Sequence, residues 1–342
     1  MATIYEVSEL AGVSLATVSR VMNDSAKVSP KTREKVEAAM QELGYRPNSI
    51  AQSLASSCSN SVGVLVPMFF GPFYGEILSG IETELRDAGK HAIITAGRND
   101  AESEVAGIEF LLSRNCDALI LLVDHVTDDY LVKLSQGPVP FVLLSRSIPE
   151  LADRCICLDN EMGGYLATKA VLVLGHTQLA YISGPLWKDD ASERLAGHKR
   201  ALAEFGVESD PRLTFEGNYQ EDGGSRGMDY LCSLGIPFSA VICANDEMAA
   251  GVAGFARERG MNIPDEISLM GFDNVFFSRY FRPKLSTVNH PIGKMGQMAA
   301  RCILRNVYSQ AQFEIQNLFE PTLVMRSSIS CKTGTLRSVS HE

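Results

Sequence analysis

The chain has 342 residues and a mass of 37.2 kDa, enough for about two domains and a third small one. Hydrophobic residues make up 45% and charged residues 21%, which excludes a collagen, a coiled-coil rod and a wholly disordered chain. No apolar run reaches the roughly 18 residues of a membrane helix, and the first ten residues lack the pattern of a signal peptide. We therefore expect a cytoplasmic protein with no membrane partner.

The cysteines and the charge exclude less than they first suggest. Eight cysteines are too sparse for a disulfide framework, and the closest pair, Cys155 and Cys157, has no neighbouring His or third Cys for zinc. We expect reduced thiols, no metal and no cofactor.

The net charge is −10, but residues 1–60 hold six basic and six acidic side chains, so the excess acid lies entirely in the rest of the chain. The acidic total therefore does not exclude DNA contact by the first 60 residues. Whether they bind DNA has to be judged from their sequence motifs.

The N-terminal residues predict a helix-turn-helix. An apolar stripe indicates a helix over 4–10, and Gly12 can take the left-handed conformation that ends it. Ser14 can cap a second helix over 14–22. Two short helices joined by a glycine-containing turn form this motif. The stripe of the first helix consists of Ile4, Val7 and Leu10.

Two further helical segments follow. A third helix is predicted over 30–43, beginning at Pro30 and stopping at Gly44. A short helix is predicted over 48–55, followed by a Ser/Asn-rich linker. Eight residues are too few for a stable helix in water, so we expect this segment to fold only when something docks against it.

From Val62 onward, apolar strand-like runs alternate with amphipathic helices. This alternation predicts an α/β fold with two doubly wound parallel lobes, divided near residue 160. Ligands in such sheets bind at the carboxyl ends of the strands, so the natural site is the cleft between the lobes. The predicted strands cover 62–66, 91–95, 117–123, 140–144, 155–158, 178–183, 212–216, 239–243 and 267–271. The predicted helices cover 73–88, 102–114, 161–175, 191–205, 221–234 and 245–259.

Two N-terminal motifs in front of this core resemble the LacI/GalR family of bacterial transcription regulators: "VSLATVSRVMN" at 13–23 and "YRPNSIAQSLA" at 45–55. The resemblance runs from residue 2 to about 328. Core motifs look most like the galactose-repressor branch: "RCICLDNEMGGYLATKAVLVLGH", "ANDEMAAGV", "ISLMGFDN", "SRYFRPKLSTV" and "FEPTLV". The family implies a periplasmic-binding-protein-like core behind a DNA-binding head. The implied layout is a helix-turn-helix head at 1–46, a hinge helix and linker at 47–60, a first lobe at 61–160 and 291–322, a second lobe at 161–290 and 323–330, and a tail at 331–342.

For DNA, the resemblance implies that the second helix lies in the major groove. Arg20 can grip guanine O6 and N7, whereas Leu15 and Ala16 offer apolar contact to a thymine methyl. In family hinge helices a leucine, here Leu54, wedges into a minor-groove step. The alternatives are that Leu15 is helix core, Arg20 a solvated charge and Leu54 a linker residue packed on the core. The implied DNA-binding residues are Ser14, Leu15, Ala16, Thr17, Arg20, Asn23, Asn48 and Leu54.

For a small-molecule effector, the family positions suit a sugar. Aromatic rings pack against a pyranose face, and Arg and Asp side chains make charge-assisted bonds to hydroxyls. The implied effector-binding residues are Phe73, Tyr74, Ser145, Arg146, Asp159, Arg194, Tyr219, Asn245, Asp246, Asp273 and His290.

Some of these positions have a structural alternative. Asn245 and Asp246 are good helix-start residues in their own right, Asp273 can be a turn residue, and His290 can be part of a crossover. One departure from the family is Gly71, since family members often have Asp or Asn two residues before the first aromatic. We therefore expect no hydroxyl contact from position 71, which leaves sugars other than galactose open as effectors.

Two other classes of function are weighed against a regulator. An enzyme is disfavoured because the sequence has no nucleophile elbow, phosphate loop or HExxH motif. A periplasmic sugar-binding protein is disfavoured by the helix-turn-helix. We expect a homodimer on pseudo-palindromic operator DNA, acting as a repressor relieved by a monosaccharide such as galactose. The alternative is a regulator with a purine or nucleoside corepressor in the same cleft.

Overall fold

The computed structural model describes residues 2–22, 27–46, 58–309 and 313–332. Its contacts divide the chain into two units, Met1–Asn60 and Ser61–Glu342. The predicted short helix at 48–55 lies outside the described residues. So do three of the predicted DNA-binding residues, which are Asn23, Asn48 and Leu54.

The first unit contains three helices whose ends follow the sequence signals. Gly12 ends α1 in a left-handed conformation with φ 63°, as predicted. α3 begins at Pro30, also as predicted, and Ser29 caps it. The helices are α1 (Ile4–Ala11), α2 (Leu15–Met22) and α3 (Pro30–Glu42).

A small apolar core holds these helices together. It contains Val7, Val18 and Val36, all fully buried. The predicted stripe of α1 is wrong at one position, because Leu10 is 47% exposed and Ala11 is buried instead. Val7 and Ala11 are four residues apart, and a helix brings such residues onto one face as readily as residues three apart.

The first lobe is built on a six-stranded parallel sheet with the order β11-β5-β4-β3-β1-β2. Its central strands are short, buried apolar runs, as expected where helices cover both faces. The strands are β1 (Ser61–Val66), β2 (His91–Ala96), β3 (Ala118–Leu121), β4 (Phe141–Leu144), β5 (Cys155–Leu158) and β11 (Leu318–Phe319). The helices are α4 (Pro72–Asp87), α5 (Ala101–Ser113), α6 (Asp128–Leu134) and α11 (Ile292–Tyr308).

The second lobe is built on a four-stranded parallel sheet with the order β7-β6-β8-β9. The strands are β6 (Leu179–Ser183), β7 (Thr214–Glu216), β8 (Ala240–Cys243) and β9 (Ser268–Met270). The helices are α7 (Asn160–Leu172), α8 (Asp189–Glu204), α9 (Glu221–Ser233) and α10 (Asp246–Glu258). The predicted α/β fold of two doubly wound parallel lobes is confirmed.

The chain crosses between the lobes three times. It crosses after β5, again between β10 (Thr287–Asn289) and α11, and finally between β11 and β12 (Thr322–Val324). β10 and β12 pair antiparallel beside the second lobe. Helices α6 and α11 were not among the predicted elements; α6 has only seven residues and buries only Leu131, so its pattern is weak. No helix within the described ranges combines the length and apolar character needed to span a bilayer.

Candidate effector site and DNA-reading helix

A cavity of about 260 Å³ lies where the carboxyl ends of the two sheets face each other. Both sheets have a strand-order switch at this edge, between β1 and β3 and between β6 and β8, where ligands bind in open α/β sheets. Nine of the eleven predicted effector residues line the cavity. They are Phe73, Tyr74, Ser145, Arg146, Arg194, Tyr219, Asn245, Asp273 and His290.

The aromatic part of the first-lobe wall comes from the first turn of α4. The rings of Phe73 and Tyr74 meet edge to face with centroids 5.3 Å apart, and Phe73 lies 5.4 Å from the His290 ring. Burial raises the pKa of Tyr74, so its hydroxyl is neutral and can donate a hydrogen bond at any physiological pH. This corner of the cavity offers apolar ring surface with one polar tip.

The polar part of the same wall follows β4. Arg146 Nη2 donates to Asp128 Oδ1 at 2.7 Å, but its buried Nη1 has no hydrogen-bond partner in the described chain. The buried hydroxyl of Ser145 is also without a partner there, and its backbone adopts φ 59°. Both groups point to a missing polar partner, because buried donors and acceptors are normally satisfied.

On the second lobe, protein groups already engage two nitrogens of the Arg194 guanidinium. Its Nε donates to Asn160 Oδ1 at 2.9 Å, and its Nη1 donates to the Ala244 carbonyl at 2.6 Å. Nη1 also lies 3.7 Å from Asp273 Oδ1, and the guanidinium stacks 3.8 Å from the Phe272 ring centre. The cation is therefore held in one position before any ligand binds.

Gly164 explains how α8 brings Arg194 to the cleft. A side chain at Gly164 of α7 would collide with the Arg194 carbonyl, so the two helices can approach this closely only with glycine there. The motif "NEMGGY" carried no such signal in the sequence, because a glycine in a helix reads only as a weak helix former.

Tyr219, Asn245 and Asp273 complete the second-lobe wall. Asn245 caps α10, accepting from Met248 N at 2.9 Å, and its Nδ2 donates to the Tyr219 carbonyl at 2.8 Å. Tyr219 and Asp273 adopt φ of 63° and 99°, which costs conformational energy for residues with a side chain and recurs at functional sites. The buried Tyr219 hydroxyl has no partner among the described residues.

Two predicted residues do not line the cavity. Asp159 caps α7, its carboxylate accepting from Met162 N at 2.9 Å. Asp246 is fully buried behind the wall, where Oδ1 accepts from Thr287 Oγ1 at 2.7 Å and Oδ2 from Val275 N at 3.0 Å. Burial raises the pKa of Asp246 well above its ordinary value. These contacts tie the start of α10 to β10 and to the loop after β9, which is a different structural role from the helix-start role expected as the alternative.

Sequence reasoning missed a contact between the lobes. Lys188 Nζ, after β6, donates to Asp124 Oδ2, after β3, at 2.8 Å. Next to this pair, the Trp187 ring stacks on His125 with centroids 4.5 Å apart. We call these four residues the cleft clasp. A usable signal existed, because Asp124 directly follows the predicted strand over 117–123 and Lys188 lies five residues after the end of the one over 178–183.

Burial lowers the pKa of Lys188, but the nearby carboxylates Asp190 and Asp124 outweigh it, and the net pKa is raised. Lys188 is therefore a cation. It is one of three in a lining that contains six carboxylates, and each cation lies beside a carboxylate. The cavity is acidic overall, which disfavours an anionic ligand such as a sugar phosphate and favours a neutral one. The six are Asp124, Asp128, Asp189, Asp190, Glu247 and Asp273.

In the DNA-binding unit, α2 exposes the residues predicted to read bases. Leu15 is 37% exposed, and Ala16 and Arg20 are also exposed. The alternative that Leu15 is helix core is therefore wrong, since Val18 and Val21 fill the core side of α2. Ser14 Oγ accepts from Thr17 N at 3.2 Å, so this implied DNA-binding residue caps α2 as predicted.

Known proteins resemble the chain along its whole length. Residues 3–48 match the model of bacterial regulatory proteins of the lacI family, and residues 168–329 match that of a periplasmic binding protein-like domain. The HTH-type transcriptional regulator GalR of Escherichia coli K12 is 40% identical over 341 residues, covering 100% of this chain and 99% of its own. This similarity agrees with the galactose-repressor branch indicated by the core motifs.

Solved structures agree. The lac repressor dimer bound to operator and the anti-inducer ONPF has a TM-score of 0.85 at 30% identity, covering 96% of this chain and 99% of its own. The transcriptional regulator CelR–cellobiose complex has a TM-score of 0.70 at 30% identity, covering 96% and 100%. The chain therefore belongs to the lacI family of bacterial regulatory proteins and is a DNA-binding transcription regulator, not an enzyme.

Proposed function

We propose that the protein represses a carbohydrate-utilisation operon and that a monosaccharide such as galactose, bound between the lobes, relieves repression. One observation carries the sugar assignment. Three buried side-chain polar atoms in the described chain lack a hydrogen-bond partner, and all three line the cleft cavity: Ser145 Oγ, Arg146 Nη1 and Tyr219 OH. A ligand rich in hydroxyls can both donate and accept, which matches this mixture of groups.

The acidic lining supports a neutral ligand, and the aromatic corner at Phe73 and Tyr74 supports a ring with an apolar face. A purine or nucleoside corepressor remains the alternative, because it would use the same cleft with the opposite effect on DNA binding. Among the matched structures, CelR is complexed with cellobiose, which supports the carbohydrate reading.

On the DNA side, the proposal is a homodimer on a pseudo-palindromic operator in the cytoplasm. One helix-turn-helix contacts too few base pairs for specificity, and a two-fold protein matches a two-fold site. The matched lac repressor is a dimer bound to operator. Exposed Arg20 is proposed to bind guanine, Leu15 and Ala16 to supply apolar base contacts, and Ser14 and Thr17 to bind phosphates. Some assignments stay predictions. They are the DNA contacts of Asn23, Asn48 and Leu54, the effector roles of the two residues outside the cavity lining, and the lobe boundaries.

The test is titration of an operator complex with hexoses, β-glucosides and nucleosides. We expect a hexose to release the operator and the operator to weaken hexose binding by the same factor, commonly about 5–150-fold, because coupling is reciprocal. Tighter operator binding with a nucleoside would establish the corepressor alternative. No response to any sugar would exclude the carbohydrate assignment.

A further inference from the structure

Glu247 lies in the effector cavity but belongs to none of the positions that the family resemblance implies. It is the second residue of α10 and lines the cavity beside the helix cap, Asn245. The helix start fixes its backbone, because Asn245 and the first turn of α10 are buried. Its side chain can still move, and it is long enough to extend from the second lobe toward the first.

The carboxylate of Glu247 extends to the loop that precedes α4. A Cβ atom built on Gly71 would lie 3.1 Å from Glu247 Oε1 and 3.8 Å from Tyr74 Cδ2. Gly71 adopts φ 101° and ψ 149°, a conformation that is almost restricted to glycine. A polar side chain at position 71 is thus disfavoured by the backbone, and it would also crowd the carboxylate that lies there. A protein hydrogen bond to a ligand hydroxyl in this part of the cavity therefore has to come from another element.

The carboxylate of Glu247 is also a polar group whose hydrogen-bonding capacity the described residues do not satisfy. Within the described residues, no hydrogen bond or ion pair involves its carboxylate. Burial, followed by repulsion from Asp273, raises its pKa to about 7, and no cation offsets either effect. Tyr74 faces it from α4, and the Tyr74 pKa is raised in part by Glu247. A partly buried carboxylate without a partner gains more from a ligand hydroxyl than an exposed one does.

We propose that Glu247 determines which sugar the protein accepts, by forming a hydrogen bond from the second lobe to one ring hydroxyl at the Gly71 loop. The inference rests on the proposed sugar function. Because the contact joins a ligand held against Tyr74 to α10, it also favours closure of the lobes around that ligand. A sugar with no hydroxyl at this place, or with the opposite stereochemistry there, leaves the carboxylate buried and unpaired and is rejected.

The test compares hydroxyl deletion in the ligand with side-chain deletion in the protein. Affinities of D-galactose, D-glucose, D-mannose and their monodeoxy analogues are measured by calorimetry on the full-length wild type, E247A and E247Q. For the hexose that binds, we expect one monodeoxy analogue to lose about ten- to hundredfold in affinity for the wild type, the range of a hydrogen bond to a charged group. The same analogue should bind E247A about as well as its parent does. E247Q keeps an amide at this place and should show an intermediate loss at the same hydroxyl.

The control is E221A, because Glu221 occupies the first turn of the neighbouring helix α9 and is exposed outside the cavity lining. E221A should reproduce the wild-type profile. Operator binding without sugar checks that each variant is folded, and E247Q decides the question if E247A is unstable. If every deoxy analogue loses the same factor in the wild type and in the Glu247 variants, the role of Glu247 is refuted while sugar binding stands. If no hexose binds the wild type, this inference and the proposed function both fail.

Discussion

The two walls of the effector cavity differ in how far their polar groups are already engaged. On the second lobe, Arg194 bonds to Asn160, the Ala244 carbonyl and Asp273, and Asn245 uses both ends of its amide. Of the buried side-chain atoms without a partner in the described chain, two lie on the first lobe, Ser145 Oγ and Arg146 Nη1, and one lies on the second, the Tyr219 hydroxyl. The cation and the amide of the second wall are thus held in place by the fold, whereas the cation of the first wall depends more on the ligand for its hydrogen bonds.

The comparison teaches that residues with the same predicted role contribute to different quantities. A preorganised residue lowers the entropy cost of ordering the site on binding. Replacing it should first reduce the free energy of unfolding. An incompletely bonded residue contributes little to folding, and its loss is felt first in ligand affinity. Substitutions on the two walls can therefore separate stability from affinity.

The largest effect is expected for Arg194→Ala. Its partner Asp273 has a side chain only 7% exposed and would lose its cation, keeping only the His290 ring, whose Nδ1 lies 3.2 Å from Oδ1. Removing one partner of a buried pair typically costs about 3–5 kcal/mol, so the free energy of unfolding should fall by that amount in a urea titration. Arg200→Ala is the control, because Arg200 pairs with Glu161 on the exposed surface. An Arg194→Ala protein as stable as the wild type would contradict the view that the second wall is preorganised.

The second lobe also carries a buried imidazole that should make it sensitive to acid. His198 is 3% exposed, its Nδ1 lies 2.9 Å from Thr168 Oγ1, and burial lowers its pKa from 6.5 to about 3. The unfolded state gains a proton below pH 6.5 and the folded state does not, so stability is lost as the pH falls from about 6.5 to 3. At pH 4 this loss amounts to about 3 kcal/mol.

The measurement is the free energy of unfolding at pH 7 and pH 4 for the wild type and for His198→Phe, which keeps a ring against Tyr181 and removes the titration. We expect the pH-dependent loss to be smaller in His198→Phe by about 3 kcal/mol. His91→Gln serves as the control, because His91 is an exposed residue at the start of β2 in the first lobe. An unchanged pH dependence in His198→Phe would rule out this imidazole as the acid-sensitive group.

A smaller effect on stability, with a clear effect on affinity, is expected for Arg146→Ala. Its partner Asp128 has a side chain 59% exposed, so water replaces the lost cation and stability should change by less than about 1 kcal/mol. Nη1 of Arg146 is the group that protein contacts do not satisfy, so hexose affinity should fall about ten- to hundredfold in calorimetry. A variant that loses stability but binds sugar normally would reverse the roles assigned to the two walls.

The sequence predicted most of the fold because the governing signals were local. Alternating apolar runs and amphipathic helices give the two parallel sheets, and Gly12 and Pro30 mark helix ends. The family resemblance, rather than a local pattern, supplied the eleven effector residues, nine of which line one cavity. What the pattern could not supply was the difference between a side chain facing the cavity and one turned behind it, as at Asp246, whose partners lie 29 and 41 residues away.

The missed residues were also those whose importance depends on long-range pairing. Glu104 is fully buried in α5, and its carboxylate accepts from the backbone amides of Asp124, His125 and Val126 at 2.8–2.9 Å. It thus fixes the loop that carries the first-lobe half of the cleft clasp. In the sequence, Glu104 is one more acidic residue near the start of a helix, and nothing distinguishes it from solvated neighbours.

The smallest effect is expected where the two walls meet, at the cleft clasp. Lys188 and Asp124 are 18% and 17% exposed, and a single partly exposed ion pair is worth roughly 1 kcal/mol or less. Asp124→Asn should therefore change overall stability little and mainly loosen the contact between the lobes.

Trp187 is the only tryptophan of the chain, and it stacks on His125 within the clasp. Because the indole is already 56% exposed, a looser clasp in Asp124→Asn should change mainly the intensity of its emission, as the His125 ring moves away from it, and added hexose should reverse part of the change. Asp210→Asn breaks the surface pair with Arg212 away from the cleft and should leave the emission unchanged. If Asp124→Asn also leaves it unchanged, the clasp does not hold the lobes together, and closure depends on the ligand and the two walls alone.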